Sequence, residues 1–387
     1  MEKKSYLYKK KLDESVSLSI NYFNSSFDPK EINFRLSKSE DCSNFSLCFG
    51  ILLGFSLGQI DKYSQYFEIF GTKIKNNLVN YYNERKKDIF PNNVNSDKNF
   101  LQLTSFSLAA LETLNMFDQS IFDFLENILP KNIESYLFEN KIHKGVPKSG
   151  NIAMCVFSIL YYLDKHKKKI SYDKEINQWI EFHKKYLNKL GFYGKPKFKH
   201  LSFQNSYHQY EIFNFLKIKI DKQNSFEYLS KLRDKKGFFA PYFGGSGCYD
   251  YDAVVFFLHG DKDNNKTYQL FNDLFLSILK QQNTDGGFSD SQFLFPINFK
   301  NISFNFLHIL KSPNMHVLIE RIRYIASIYL KNKEKIYTHW SINPRGWDES
   351  NLWDTWFRLL ALKLIYEKSF NCEYNRVKKI NFPGIGS

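Results

Sequence analysis

The chain has 387 residues, a net charge of +14 and an aromatic content of 18%. Hydrophobic residues make up 43% and charged residues 24%, a composition that is ordinary for a globular protein and excludes global disorder. No apolar run reaches the ~18 residues of a transmembrane helix, and the basic N-terminus lacks the apolar segment of a secretory signal. We therefore expect a cytoplasmic protein without a transmembrane segment.

The positive charge is not of the kind that a nucleic-acid reader carries. Of the 54 basic residues only eight are arginine, the side chain whose bidentate fork reads bases and phosphates. The lysines lie in scattered short runs, which is typical of solvated helix faces. We expect no nucleic-acid partner and attribute the charge to codon bias. An anionic ligand and contact with a membrane surface stay open.

The cysteines indicate neither disulfides nor a metal site. The chain has five, an odd number, with no CxxC pair and no Cys/His cluster at zinc-finger spacing. This usage fits a reducing compartment. The chain also lacks a Walker loop, a GxGxxG motif and a DDxxD motif, so we expect no cofactor and no metal.

Helical periodicity is the dominant pattern along the chain, and strand alternation is scarce. In each predicted helix the apolar residues recur at helical spacing. The predicted helices are Leu101–Leu114, Ile152–Leu163, Ile176–Leu190, Leu270–Leu279, Val317–Leu330 and Leu352–Ile365. We expect an all-α protein.

Glycine turns recur between these helices and indicate an internal repeat. Each predicted turn joins a glycine to an aromatic or apolar residue; the glycines are Gly145, Gly191, Gly237, Gly287 and Gly346. Each unit is long enough for two helices, and glycine suits the left-handed end of the first. Five or six helical hairpins in a row form an open solenoid or a closed ring. With no linker except a loop at 90–98, we expect one domain over residues 1–387, with about 40 peripheral N-terminal residues.

The segment Gln282–Phe288 (QNTDGGF) resembles the QxxDGGF turn of terpene cyclases and of protein prenyltransferase β subunits. The resemblance implies an (α/α)6 toroid of about twelve helices, in which this turn joins an outer helix to an inner one. It also implies that the Gln caps helix ends and that the Asp accepts backbone N–H bonds. The glycine pair would permit a positive φ.

A second resemblance concerns Gly247–Val255, which is similar to the start of the inner helix that carries the DxDDTA motif of class II cyclases. The alignment places Asp250 on the catalytic middle Asp, whereas Cys248, Tyr251 and Asp252 replace other motif residues. Prenyltransferases carry zinc ligands here and on a later helix.

In this chain two of those three zinc ligands are replaced, by Ser246 and Asp354. The resemblance therefore does not predict a zinc site. A site formed by His208, Cys248 and Asp354 stays open as an alternative.

Carboxylates near these motifs are the candidate catalytic groups: Asp250, Asp252 and Asp354. Asp250 and Asp252 point about 200° apart on a helix, so only one of them can face a given cavity. Apolar burial would raise the pKa of Asp250 and make it a proton donor; the alternative is that both cap the helix. Asp354 either contacts a ligand or pairs with Arg358 at i+4.

Further residues are candidates for substrate binding. His208 and Glu211 share a helix face, where they either pair for acid/base chemistry or bond between helices. Four tryptophans, Trp340, Trp347, Trp353 and Trp356, either line a cavity that stabilises a carbocation or form plain core. The predicted binding residues are Tyr207, His208, Glu211, Tyr249, Trp353, Trp356 and Arg358.

The favoured hypothesis is an enzyme resembling class II terpene cyclases, which cyclises an isoprenoid by acid initiation in an aromatic cavity. One alternative is a carbohydrate-active (α/α)6 hydrolase or lyase that uses carboxylates on a glycan substrate. The other alternative is a toroid that binds a ligand or a protein without catalysis.

Overall fold

The computed structural model describes residues 2–88, 97–167, 171–195, 197–220, 223–258, 264–331 and 333–384. The chain divides into two compact units. The first unit comprises Met1–Asp61, Phe198–His200 and Lys222–Lys379, and the second comprises Lys62–Lys197, Leu201–Asp221 and Ile380–Ser387. The single domain remains a prediction, and the predicted loop at 90–98 falls almost entirely outside the described residues.

Helices dominate both units, which confirms the prediction of a mainly helical chain. In the described ranges the helices are α1 (Glu2–Ser25), α2 (Asn44–Ser56), α3 (Phe67–Asp88), α4 (Lys98–Thr113), α5 (Gln119–Ile128), α6 (Ile133–Glu139), α7 (Ser149–Lys165), α8 (Asp173–Lys185), α9 (His200–Phe215), α10 (Gln223–Ser230), α11 (Gly247–Leu258), α12 (Asn264–Leu279), α13 (Phe299–Leu310), α14 (Met315–Tyr329) and α15 (Leu352–Phe370). In that part of the chain, no helix is both long enough and apolar enough to cross a bilayer.

Strands are short and occur in pairs. The antiparallel pairs are β1 (Phe27–Asp28) with β2 (Asn33–Phe34), β3 (Phe288–Ser289) with β6 (Ser350–Asn351), and β4 (Lys335–Ile336) with β5 (Arg345–Gly346). Each strand has two residues, so the pairs fix loop ends and do not build a sheet.

The core of the first unit surrounds α15. This helix packs against α1, α2, α11 and α12, and every residue from Asp354 to Lys363 is buried. A helix that is buried all round lies inside its unit. The N-terminal residues, predicted to be peripheral, contribute α1, whose Leu12, Val16 and Phe23 are fully buried.

The core of the second unit surrounds α4 and α7. These two helices pack against each other, with α3 against α4 and with α5 and α8 against α7. All residues from Phe100 to Leu111 are buried. The near-continuous apolar pattern of both helices therefore reflects burial on every face.

Three of the predicted glycine turns share one hydrogen-bond pattern. In each turn, the N–H of the first residue donates to the carbonyl of the residue four positions later. The carbonyl of that first residue accepts the N–H of a glycine three positions later. The pairs are Asn188 with Phe192 and Gly191, Asp234 with Phe238 and Gly237, and Asn283 with Gly287 and Gly286, all at 2.7–3.1 Å. The three glycines that donate have φ of 74°, 96° and 91°, which confirms a left-handed conformation. They lie beyond the helix ends at Lys185, Ser230 and Leu279, so the prediction that they end these helices is wrong.

Each of these turns is bonded to a buried helix later in the chain. The residue five positions after the start of the turn donates its N–H to a side chain on that helix. The bonds are Tyr193 to Ser206 Oγ on α9 at 2.9 Å, Phe239 to Asp250 Oδ1 on α11 at 2.8 Å, and Phe288 to Thr355 Oγ1 on α15 at 2.9 Å. The shared bond identifies the three segments as copies of one internal repeat and aligns them residue by residue.

The side chains of the QNTDGGF segment hold its turn together. Asp285 Oδ1 accepts the Gly287 N–H at 2.9 Å, which confirms the predicted role of the Asp, and also the Ser350 hydroxyl at 2.7 Å. Gln282 Nε2 donates to the Gly286 carbonyl and to a carbonyl of α1. Within the glycine pair, Gly286 has the positive φ.

Residues 290–349 form an insertion between the third turn and its helix. Strand β3 follows the turn and pairs with β6, which leads directly into α15. Gly346, predicted to end a further repeat, instead lies in β5 opposite Lys335. That prediction is wrong because the spacing of glycines does not distinguish a repeat from an inserted segment.

We expect Gly286→Ala to destabilise the first unit more than Gly58→Ala. Both glycines have a positive φ, 91° and 64°, where a Cβ costs about 1–2 kcal/mol. A Cβ on Gly286 would also lie 2.2 Å from the Leu18 carbonyl oxygen, whereas one on Gly58 meets nothing within 4 Å. Urea denaturation measures both losses, and equal losses would contradict the importance of this close approach.

Candidate functional site

Asp250 is fully buried at the start of α11, and both of its carboxylate oxygens are engaged. Oδ1 accepts the Phe239 N–H at 2.8 Å, and Oδ2 accepts the Ser246 N–H at 3.0 Å and Arg358 Nη1 at 3.1 Å. Burial raises the pKa of Asp250 to about 7, against the opposing effect of the Arg358 charge. This carboxyl connects the turn, the start of α11 and α15.

The position of Asp250 has neutral counterparts in the other repeats. Ser206 and Thr355 accept the equivalent N–H with a hydroxyl, so that hydrogen bond does not require a carboxylate. Asp250 differs from these two residues in having a second oxygen, Oδ2, which accepts hydrogen bonds from two further donors. None of the Asp250 surface is accessible. Its role as the proton donor therefore stays a prediction, and one that this geometry does not favour.

Asp354 also has a neutral counterpart. Its Oδ1 accepts the N–H of Gly247, the first residue of α11, at 2.9 Å. In the second unit, Asn205 Oδ1 accepts the N–H of Gly150 near the start of α7 at 3.4 Å. Asn205 and Asp354 hold equivalent positions in the repeat, so this contact of Asp354 belongs to the architecture.

Arg358 pairs with Asp250, and not with Asp354 as the i+4 spacing suggested. Its guanidinium also lies 5.3 Å from the centre of the Phe238 ring. Although Arg358 is buried, its Nε and Nη2 have no hydrogen-bond partner within the described residues. A buried donor without an acceptor is unfavourable, so these two groups favour a water molecule or a polar ligand group beside them.

A different carboxyl, that of Asp290, lies in a partly accessible position just after β3. Its Oδ1 accepts the Tyr242 hydroxyl at 2.6 Å, whereas Oδ2 makes no hydrogen bond to any described residue. Burial raises the pKa of Asp290 to about 7; the negative charge of Asp354 adds to this, while two arginines oppose it. Asp290 thus combines a raised pKa with a carboxylate oxygen that accepts no hydrogen bond from the described residues.

The residues around Asp290 share this combination of burial and access. Cys248, Tyr249 and Tyr324 are each partly accessible, yet burial raises the pKa of all three well above the ordinary value. The ring of Tyr324 stacks on that of Tyr242 at 5.2 Å. Four of these residues keep some accessible surface, whereas Tyr242 is buried. We call Tyr242, Cys248, Tyr249, Asp290 and Tyr324 the Asp290 cluster.

The four predicted tryptophans lie in two places. Trp340, Trp353 and Trp356 lie together, with ring centres 4.9 Å and 6.3 Å apart in that order. Trp356 is fully buried and donates Nε1 to Ser56 Oγ at 3.1 Å. Trp347 instead contacts Tyr242, at 6.3 Å between ring centres. Of the four, Trp347 is the one that adjoins the Asp290 cluster.

Tyr207, His208 and Glu211 form a local group on α9 in the second unit. His208 Nδ1 lies 4.0 Å from Glu211 Oε2, and the His208 ring centre lies 5.2 Å from that of Tyr207. Tyr207 and Glu211 are buried. Their shared site with Asp250 stays a prediction.

Asp252 and the predicted absence of a metal are the last features to place. Asp252 is buried on α11, and its negative charge raises the pKa of the Cys248 thiol, after burial itself. Its catalytic role stays a prediction. Among the described residues, no group of three or more His, Cys, Asp or Glu side chains is placed to hold a metal ion.

Comparison with known proteins gave no match to any family model, curated protein or solved structure.

We expect Asp250→Asn to lower the stability of the protein more than Asp354→Asn. At position 250 the amide NH₂ of the new Asn would face other donors. In one orientation it faces the Ser246 N–H and Arg358, and in the other it faces the Phe239 N–H. Each buried donor left without an acceptor costs about 1–3 kcal/mol. At position 354 the amide oxygen can keep the Gly247 bond, as Asn205 does for Gly150, and a single donor, from Asn351, loses its acceptor. Urea denaturation compares the two, and a larger loss for Asp354→Asn would contradict these roles.

Proposed function

We infer that this chain is an acid catalyst resembling class II terpene cyclases, with Asp290 as the proton donor and an isoprenoid as the substrate. The observation that carries the proposal is the partly accessible Asp290 carboxyl, whose pKa is raised to about 7 and whose Oδ2 makes no hydrogen bond to any described residue. A carboxyl with a pKa near neutrality is protonated in a substantial fraction of molecules at neutral pH and can still donate the proton.

The proposal includes the (α/α)6 toroid. Three glycine turns with one hydrogen-bond pattern, each bonded to a buried helix, support a series of helical hairpins. In the terpene cyclase superfamily, turns of this kind join an outer helix to an inner helix. The QNTDGGF segment that carries the resemblance is one of the three.

The chemistry would begin with transfer of the Asp290 proton to an epoxide oxygen or a polarised alkene of the substrate. The epoxide C–O bond breaks, and the π electrons of a nearby double bond form a new C–C bond. Loss of a proton from the final cation restores neutrality, so the product is an isomer of the substrate. Aromatic faces stabilise such cations, and Tyr242, Tyr249, Tyr324 and Trp347 supply them here.

The carbohydrate alternative is less well supported. It relied on Asp250, Glu211 and Asp354 as catalytic carboxylates. Asp250 and Asp354 each use both oxygens for hydrogen bonds within the protein. The Asp290 cluster consists mainly of tyrosines, whose rings suit an apolar chain with one polar end.

The activity test uses prenyl chains of several lengths that carry a terminal epoxide, with mass spectrometry to detect cyclised isomers of unchanged mass. We expect Asp290→Asn to reduce turnover by about 10²–10⁴-fold, the usual contribution of a general acid. Asp348→Asn, the same change at an exposed site in the same insertion, should retain turnover. The proposal would be overturned if Asp290→Asn were fully active, or if none of the prenyl substrates gave a cyclised isomer.

The pH dependence of stability tests the same carboxyl without a substrate. Because the pKa of Asp290 rises from 3.8 to about 7 on folding, the folded state binds this proton more tightly than the unfolded state. Its contribution to stability is therefore full below pH 3.8 and is lost as the pH rises to about 7. We expect Asp290→Asn to flatten this decline, measured by urea denaturation across that range, and Asp348→Asn to leave it unchanged. An unchanged slope in Asp290→Asn would show that this carboxyl is not perturbed.

A further inference from the structure

Helix α13 has the reverse of the polarity expected for a surface helix. Its fully buried residues are all polar, namely Asn301, Asn305 and His308, while the half-buried Phe304 and Ile309 also pack inward. Its exposed residues include a row of large apolar side chains, Phe299, Ile302, Phe306, Leu307 and Leu310, with Phe299 88% exposed. Helices in water normally bury the apolar face, so the outward face of α13 is suited to a surrounding other than water.

The next helix continues this apolar surface. Helix α14 packs against α13 and exposes Met315, Ile319 and Ile322 at helical spacing, followed by Leu330 just beyond its end. We call the segment from Phe299 to Lys331 the α13–α14 hairpin. It lies within the insertion that follows the third turn.

Polar contacts attach the hairpin to the first unit. Asn305 accepts the Phe243 N–H at 3.1 Å through Oδ1 and donates to the Phe293 carbonyl at 2.9 Å. The buried Arg321 donates to the Leu232 carbonyl outside the hairpin and to the His308 carbonyl within it, both at 2.7 Å. These bonds orient the hairpin. Val317, Ile325 and Ile328 of α14 are buried, whereas the two apolar rows named above stay exposed.

The charges of the hairpin have one sign on the outside. Its exposed charged residues are Lys300, Lys311, Arg323 and Lys331. The single acidic residue between 299 and 331 is Glu320, which accepts the His200 N–H at 2.6 Å inside the first unit. An apolar face bordered by basic side chains complements an anionic lipid surface. Two copies of this face would bring like charges together.

We propose that the α13–α14 hairpin docks the protein on an anionic lipid bilayer, with the apolar rows of both helices inserted among the lipid chains. The helices have 12 and 15 residues, about 18 and 22 Å at 1.5 Å per residue, whereas the hydrocarbon core is about 30 Å thick. The hairpin therefore lies in the interface. This inference is independent of the proposed catalysis.

The experiment is vesicle flotation of the full chain, with phosphatidylcholine alone or mixed with phosphatidylglycerol. We expect co-flotation with the mixed vesicles and much less with phosphatidylcholine alone. The double variant Phe299→Ser/Phe306→Ser should lower the partition coefficient by at least about tenfold, since burial of one such side chain exceeds a tenfold step in affinity. Phe138→Ser, the same change at an exposed site in the second unit, is the control.

A charge variant completes the design. Lys300→Glu/Lys311→Glu should weaken flotation with the anionic vesicles, whereas Lys62→Glu/Lys174→Glu, with the same change in net charge at exposed sites, should weaken it less. Three results would overturn the proposal. The first is no flotation of the wild type at low salt. The second is flotation that survives Phe299→Ser/Phe306→Ser, because charge alone would then hold the protein. The third is a wild type that does not bind vesicles but sediments as a dimer, with the dimer abolished by Phe299→Ser/Phe306→Ser. The hairpin would then join two copies of the chain.

Discussion

One backbone N–H after each glycine turn determines where the next buried helix can begin. The helix must present an acceptor at that point, because a buried N–H without a partner is costly. Ser206, Asp250 and Thr355 meet the requirement in three repeats with three different side chains. The constraint concerns the position of an oxygen atom and leaves the chemistry of the side chain free to vary.

That freedom separates architectural carboxylates from a candidate catalytic one. Asp250 and Asp354 have neutral counterparts in other repeats, and their oxygens are occupied by groups of the protein itself. Asp290 has no such counterpart, because it lies in the insertion. Burial raises the pKa of Asp250 and of Asp290 to about 7, so the raised pKa alone does not distinguish them. The lack of a hydrogen bond from any described residue to Oδ2 of Asp290 does.

Sequence patterns revealed the helical class, the repeat and the helices with continuous apolar faces, such as α4, α7 and α15. They did not reveal the insertion, because Gly346 follows Gly287 at a spacing that resembles one more repeat. They also did not reveal that α13 exposes its apolar face. Periodicity shows that a helix has two faces, but it does not show which of them is buried. The sequence pattern predicted that α8 extends to Leu190. The helix ends at Lys185 instead, just before the turn that begins at Asn188.

The candidate site was only partly predictable for a related reason. Asp250, Asp354 and Arg358 were identified from motif-like segments, and they do lie together in the first unit. Asp290 carries no motif. Its environment depends on Tyr242, 48 residues earlier, and on Tyr324, 34 residues later in the chain. Such a long-range arrangement is a property of packing, and local spacing contains no record of it.

The pairing of Ser289 with Ser350 has a consequence for how this protein can change. The chain leaves the repeat and returns to it at two neighbouring points, so the length and content of the intervening segment place little strain on the scaffold. Both Asp290 and the outward apolar hairpin lie in that segment. The candidate acid and the exposed apolar surface can therefore be replaced together, as one segment, while the helical scaffold stays the same.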